Sequence, residues 1–368
     1  LLDAASQGKI PDLKAVTPDD LQFKACLFEP DAPAMKISDI EMTNFEILGY
    51  GENSKIRIER KCRIKIFNEK GYQYASIKIP YLNKKGRGKI KELEGTVYNL
   101  DETGKVVIRR LAKDDFFKET ATENIGVVTF TFPGIKPGSI IDYSYVKIEN
   151  DFLQFDPWVI QSEIPTLYTS AIYSMPVSSL FREKIYGTDS ILKKTERFRA
   201  GQMMKITYAK QNVASFKSEP FMSSYKDNLM RAYFIHIPYS GYLGRGTMSD
   251  KAIWKGVGQY LLEDTSFGGK IKKPIPGTEN LIDSAKKISS SKERVKFIYE
   301  AVKKRIPNKT EQSRRPENII EAWNAHSGNS ADINMILLNL LSKAGIKCHP
   351  LLISTRDNGR ISIDFPSF

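Results

Sequence analysis

Gly328-Asn329-Ser330-Ala331-Asp332-Ile333-Asn334 brings a hydroxyl, an amide and a carboxylate together at the start of a strongly patterned helix. Apolar residues follow at Ile333, Ile336, Leu337, Leu340, Leu341 and Ala344, the spacing of one buried helical face, and Gly345 supplies the stop. Unpaired backbone N–H groups at a helix start stabilise an anion, so Ser330 stands where a nucleophile could be activated. A serine gains less from that field than a thiol, because its pKa is high, and it needs a base to take its proton. As a helix cap, Ser330 would accept a backbone N–H and contribute about 1 kcal/mol with no chemistry. Residue type and position favour the cap. Asp332 falls in the first turn, where a carboxylate complements the helix dipole. Trp323 could line a groove above Ser330, although a core aromatic is the commoner finding at such spacing.

The visible bases offer Ser330 little. His326 lies four residues upstream and reads as a solvated residue ending a short helix opened by Pro316. Cys348-His349 resembles a nucleophile–base pair, but neighbours on a regular strand at 350–354 and just before it would point to opposite faces. The three histidines, His236, His326 and His349, have no metal-ligand spacing, so neither a metal nor a cofactor is expected. Cys26, Cys62 and Cys348 are too few and too far apart for a disulfide framework; two buried thiols at Cys26 and Cys62 are favoured over a bridge. Gly241-Tyr242-Leu243-Gly244-Arg245-Gly246 lacks the strand–helix setting of a dinucleotide loop, and Asp357-Asn358-Gly359 is a turn signal without metal companions.

The elements that must position these residues are helical from about 249 onward. Ile253, Trp254, Val257, Tyr260 and Leu261 trace an apolar face that Gly268-Gly269 should end, and residues 272–277 read as a linker. Ser290 and Glu293 form a capping-box pattern ahead of Val295, Ile298, Tyr299, Val302 and Ile306. Upstream, residues 55–215 read as strand after strand. Residues 55–67 alternate, 68–71 form a turn, and 72–79 alternate again, which predicts a hairpin. A second hairpin is expected around Asp101-Glu102-Thr103-Gly104, and a third pairing joins 127–132 to 140–146. Many short strands with regular turns predict a β-sandwich.

The chain has 368 residues, 41% hydrophobic and 27% charged, with room for two or three domains and no apolar run long enough to span a bilayer. Its net charge of +13 raises nucleic acid or anionic surfaces as partners. The densest run, Lys84-Lys85-Gly86-Arg87-Gly88-Lys89-Ile90-Lys91, has no aromatic companions, so solvated loops are favoured and no nucleic acid is expected. The start, Leu1-Leu2-Asp3, carries no initiator Met and reads as a processed or trimmed terminus.

Residues 291–355, through Gly328, Asp332, Ala344, Gly345 and Ile346, resemble the core of the transglutaminase-like superfamily. That family has a papain-like α+β fold and a Cys-His-Asp triad, whose nucleophile position is held here by Ser330. Its His and Asp would lie beyond Phe368, so by the family's pattern the chain stops mid-domain. Residues 129–143 and 158–165, with Glu219-Pro220-Phe221-Met222, resemble DUF3857, a β-rich domain that precedes transglutaminase-like domains in many secreted bacterial proteins. The combined expectation is an α+β protein with an N-terminal antiparallel β-sandwich at 1–240, a helix and linker at 241–277, and a truncated papain/transglutaminase-like domain at 278–368. The resemblance implies a non-catalytic periplasmic, cell-surface or secreted protein that binds or scaffolds a peptide, protein or glycan, with Trp323, Asn329 and Asp332 beside Ser330. The alternatives are a peptidase or amide hydrolase using Ser330 with a downstream His, and an envelope-binding module built on the basic β-domain.

Overall fold

The computed structural model describes residues 10–46, 55–83, 88–122, 125–150, 156–177, 180–188, 190–237, 249–307, 313, 316–356 and 359–363. Residues 84–87 of the lysine run, the glycine motif at 241–246, and Asp357 and Asn358 lie outside them, as does the His236 side chain. The chain divides into two compact units, Leu1–Tyr239 and Ser240–Thr355, with Arg356 and Gly359 returning to the first.

The first unit is β-rich. Its strands are β1 (Ala34–Glu46), β2 (Lys55–Ile66), β3 (Ser76–Leu82), β4 (Gly88–Leu100), β5 (Val106–Arg110), β6 (Phe117–Thr122), β7 (Ile125–Thr131), β8 (Ile140–Glu149), β9 (Trp158–Val159), β10 (Thr166–Pro176), β11 (Leu180–Tyr186), β12 (Leu192–Phe198), β13 (Met203–Val213) and β14 (Arg231–Ile237). Eight of them form one sheet in the order β12-β13-β10-β1-β2-β8-β4-β5; β3-β7-β6 and β11-β14-β9 form two smaller sheets. The β1–β10 pair is parallel, in a sheet expected to be antiparallel throughout, because these strands are joined by a long excursion and not by a hairpin.

Alternation along β2 decides the layering. Ile56, Ile58, Arg60, Cys62, Ile64 and Ile66 share one face. Both small sheets cover that face. Ile64, Ile66, Ile141 and Tyr143 pack with Ile79, Val128, Phe130 and Phe132 of the β3-β7-β6 sheet and its flanks. Ile56, Ile58, Tyr173 and Tyr208 pack with Trp158, Ala232 and Phe234 of the other. On the opposite face the chain's early residues lie against the sheet: Ile10 joins Ile40, Met42 and Ile172, and Arg63 pairs with Asp142 at 2.7 Å while reaching the Lys14 carbonyl at 2.8 Å. Lys65, fully buried there, donates to the carbonyls of Asp20, Leu21 and Gly138 at 3.1, 2.6 and 2.7 Å, under helix α1 (Pro18–Gln22).

Two of the expected pairings are corrected. Residues 69–75 form a 3-10 segment capped by Asn68, so β3 does not fold back on β2 but crosses to pair with β7. Likewise β7 and β8 belong to different sheets, since the turn between them carries the chain from one layer to the other. They meet face to face instead, with the Phe130 and Tyr143 rings 6.1 Å apart. Alternation reports which side of a strand is buried, and it says nothing of which strand lies beside it. The β4–β5 hairpin forms as expected, with Leu100 opposite Val106. Cys26 and Cys62 are free, buried thiols.

Helix α2 (Tyr225–Asn228) is short, and the second unit is helical: α3 (Asp250–Glu263), α4 (Gly268–Lys272), α5 (Glu279–Lys286), α6 (Ser291–Arg305), α7 (Ile319–Ala325) and α8 (Ser330–Lys343). Its core joins Ile275, Ile282, Ile298, Val302, Ile319, Trp323, Ile336 and Leu340. Three expectations need correction here. Gly268 and Gly269 open α4 rather than end α3, which stops at Glu263. Asn318, not Pro316, begins the short helix, because its side chain accepts the Ile320 and Glu321 N–H groups. The expected strand at 350–354 does not form: Leu351 and Ile353 are largely exposed, and no strand is available to pair with it among the described residues of this unit.

A candidate site at the start of helix α8

Asn329, and not Ser330, caps α8. Asn329 has extended backbone (φ −72°, ψ 169°), its side chain accepts the Asp332 N–H at 2.9 Å, and the Asp332 carboxylate accepts the Asn329 N–H at 3.2 Å. The reciprocal box needs a carboxylate three residues after the cap. Starting from Asn329 the chain supplies Asp332, whereas starting from Ser330 it would supply Ile333. Ser330 is therefore the first helical residue. Its hydroxyl accepts the Ser313 N–H at 2.9 Å and donates to the Ser313 carbonyl at 3.2 Å.

Asp332 is buried, and its other oxygen accepts the Glu317 N–H at 2.8 Å, fastening the loop before α7 to the start of α8. Gly328 lets this happen: a Cβ there would meet the Ala322 Cβ at 2.7 Å and the Asp332 Cβ at 3.1 Å. At the far end, Gly345 takes φ +83° and the Ile346 N–H reaches the Leu341 carbonyl at 3.0 Å, the stop read from the sequence. Lys270 of α4 donates to the Pro316 carbonyl at 2.8 Å; burial pushes its ammonium below the usual lysine range, against the opposing pull of Asp332.

Trp323 is buried in the helical core, with the Arg305 guanidinium 4.3 Å from its ring centre. His326 ends α7 in the left-handed conformation (φ 56°) and is exposed. Cys348 packs on the helical core and contacts the Leu338 carbonyl, and burial pushes its thiol up; His349 is exposed. Among the described residues both hydrogen bonds of the Ser330 hydroxyl go to backbone, and no three His, Cys, Asp or Glu side chains could hold a metal. No helix among them is long and apolar enough to cross a membrane.

A second polar cluster, in the β-rich unit, escaped sequence reasoning. Glu41, Arg60 and Tyr145 stand opposite one another on β1, β2 and β8, beside the row Asp39, Cys62 and Tyr143. These side chains occupy the same sheet face as the two apolar clusters, and all but Cys62 line a cavity of about 310 Å³ with Lys147, Trp158 and Tyr173. The Arg60 guanidinium grips Asp39 with two bonds, 2.8 and 2.7 Å, and Lys36 adds a third at 2.8 Å. Burial pushes Asp39 up, but Arg60 and Lys36 together outweigh it and hold the carboxyl well below its usual range. Glu41 shifts the other way, because burial prevails over Arg60 and Lys147. Burial also carries the Cys62 thiol up to about 12. One signal was legible: Arg60 interrupts the apolar positions of β2, where a charge has no solvent to face.

Comparison with known proteins follows this division. Residues 53–220 match the family described as "Domain of Unknown Function with solved-structure structure (DUF3857)", so a DUF3857 domain occupies most of the β-rich unit. The DUF3857-like segments at 129–143 and 158–165 fall inside that match. No curated protein matches the chain in sequence. A crystal structure from Parabacteroides distasonis ATCC 8503, described as "a putative protease", shares the fold with a TM-score of 0.63 and 14% identity, over 85% of this chain and 59% of that one. This chain thus spans about three fifths of that protein. A second structure, described as "a putative nutrient binding protein" from Legionella pneumophila subsp. pneumophila str. Philadelphia 1, covers 85% of this chain and 94% of its own at 8% identity. Its TM-score of 0.28 is too low to define a shared fold. The protein is an α+β chain that joins a DUF3857 domain to a helical unit.

Proposed function

We propose that the helical unit is a transglutaminase-like domain that has lost the family's nucleophile and binds rather than cuts. In this reading the domains are those of the sequence, 1–240, 241–277 and 278–368, and the protein serves at the periplasm or cell surface. It holds or scaffolds a peptide, protein or glycan there. The observation that carries the proposal is the Ser330 hydroxyl, which exchanges two hydrogen bonds with the Ser313 backbone where a nucleophile would need a base. A hydroxyl held this way has its proton committed to a carbonyl and is a poor attacker. Asn329, Asp332 and Trp323 then shape the start of α8.

The test is a serine-directed fluorophosphonate probe on the full-length protein, with adducts located by mass spectrometry. The expected result is no adduct at Ser330, and a Ser330→Cys variant inert towards iodoacetamide at neutral pH. Labelling at Ser330 that vanishes in Ser330→Ala would show an activated hydroxyl, overturn the proposal and favour the hydrolase reading.

A further inference from the structure

We propose that the cavity between the two small sheets of the β-rich unit is a binding site for a small molecule carrying a protonated amine, with Glu41 as its counter-ion. The argument starts from cost. A charged row across the inner face of a sheet is expensive unless every member is paired, and an apolar row would have fused the two flanking cores into one. Among the described residues every charge of the row but one has an ion-pair partner. Lys36 and Arg60 meet Asp39 at 2.8 and 2.7 Å, while Lys147 meets Glu149 at 3.2 Å and Asp156 at 2.5 Å. Among the described residues these are three cations facing three carboxylates. Glu41 is the seventh charge.

Arg60 stands directly opposite Glu41 in the β1–β2 ladder, yet its Nε and Nη2 both turn to Asp39. Among the described residues no hydrogen bond reaches the Glu41 carboxyl, and Arg60 and Lys147 act on it through their charge alone. Its pKa is raised by that burial, as expected of an acid waiting for a cation. Lys78, at the edge of the cavity on β3, is exposed and screened by solvent. The rest of the lining mixes aliphatic residues with four aromatic ones, Tyr143, Tyr145, Trp158 and Tyr173, and aromatic rings can attract ammonium groups. A volume of about 310 Å³ suits a ligand the size of an amino acid or a monosaccharide. A carboxylate, four aromatic residues and, among the described residues, no cation but the solvent-screened Lys78 left without a carboxylate partner together select an ammonium on a small body.

The inference concerns a different unit from Ser330 and stands whether or not that serine reacts. The test uses the full chain with isotope-labelled isoleucine methyls, since Ile58, Ile77 and Ile79 line the cavity. Benzylamine should shift these methyls saturably and bind at least tenfold tighter than benzyl alcohol. Glu41→Gln should remove that preference while leaving the Ile64 and Ile141 methyls of the neighbouring core in place. In the unaltered chain, benzylamine affinity should fall as pH drops from 8 towards 4.5, as Glu41 takes up its proton, while benzyl alcohol affinity stays level; this arm needs no variant. Glucosamine and phenylalaninamide, run alongside, tell an amino sugar from an amino-acid amine. Equal affinity for the two benzyl probes, no saturable shift at the three methyls, or a preference that survives Glu41→Gln would each overturn the proposal.

Discussion

Arg60→Met should cost the β-rich unit about 3 kcal/mol, because it strands a buried carboxylate. Asp39 has a side chain only 6% exposed and takes two of its three cationic hydrogen bonds from Arg60. Removing one partner of a buried pair typically costs about 3–5 kcal/mol, and the remaining Lys36 bond places this site at the lower end. Replacing both partners by apolar groups, Arg60→Met with Asp39→Leu, should recover most of the loss, since the stranded carboxylate is gone and Lys36, its side chain 16% exposed, can turn its ammonium to solvent. Trp158 is buried in this unit, and the other two tryptophans, Trp254 and Trp323, belong to the second, so a Trp254→Phe/Trp323→Phe background leaves one reporter. With a urea slope of roughly 2 kcal/mol per M, the single variant should unfold about 1.5 M earlier and the double variant near the parent. A pH series supplies the sign. Asp39 is depressed in the folded state, so its contribution is fully present above about pH 4 and is lost as pH falls through the folded value. The parent should therefore lose stability more steeply below pH 4 than Arg60→Met does. A single variant costing under about 1 kcal/mol, or a double variant costing the sum of the two singles, would refute the reasoning.

Three further outcomes are expected. Asn329→Ala should destabilise the helical unit by about 1 kcal/mol and Ser330→Ala by less, in urea unfolding followed by Trp323, because only Asn329 caps α8. Lys65 is buried on carbonyls, and burial lowers its pKa to about 8 against the usual 10.5. Folding thus releases a proton between pH 8 and 10.5, and stability relative to Lys65→Met should rise through that window, by about 1–3 kcal/mol. Cys62, pushed up to about 12 inside the sheet, and the buried Cys26 should resist Ellman's reagent at pH 8 in the native protein; all three thiols should react in guanidinium.

The sequence by itself determined the faces. Alternation in 55–66 named the inward residues of β2, and the 3.6-residue spacing from Ile333 to Ala344, with Gly345 after it, gave α8 and its stop. These are local properties: burial repeats along a strand or helix with a fixed period, and a left-handed stop needs a glycine. Tertiary structure decided the partners. Whether β3 folds back on β2 or crosses to β7 depends on the 3-10 segment at 69–75 and on a core assembled from distant strands. The capping role passed from Ser330 to Asn329 because a carboxylate three positions on had to be buried against Glu317. The charged row was present in the letters as one arginine among isoleucines. Its pairing with Asp39, and the isolation of Glu41, arise only when four strands from three parts of the chain lie side by side, since ion pairs form in space and leave no period in the sequence.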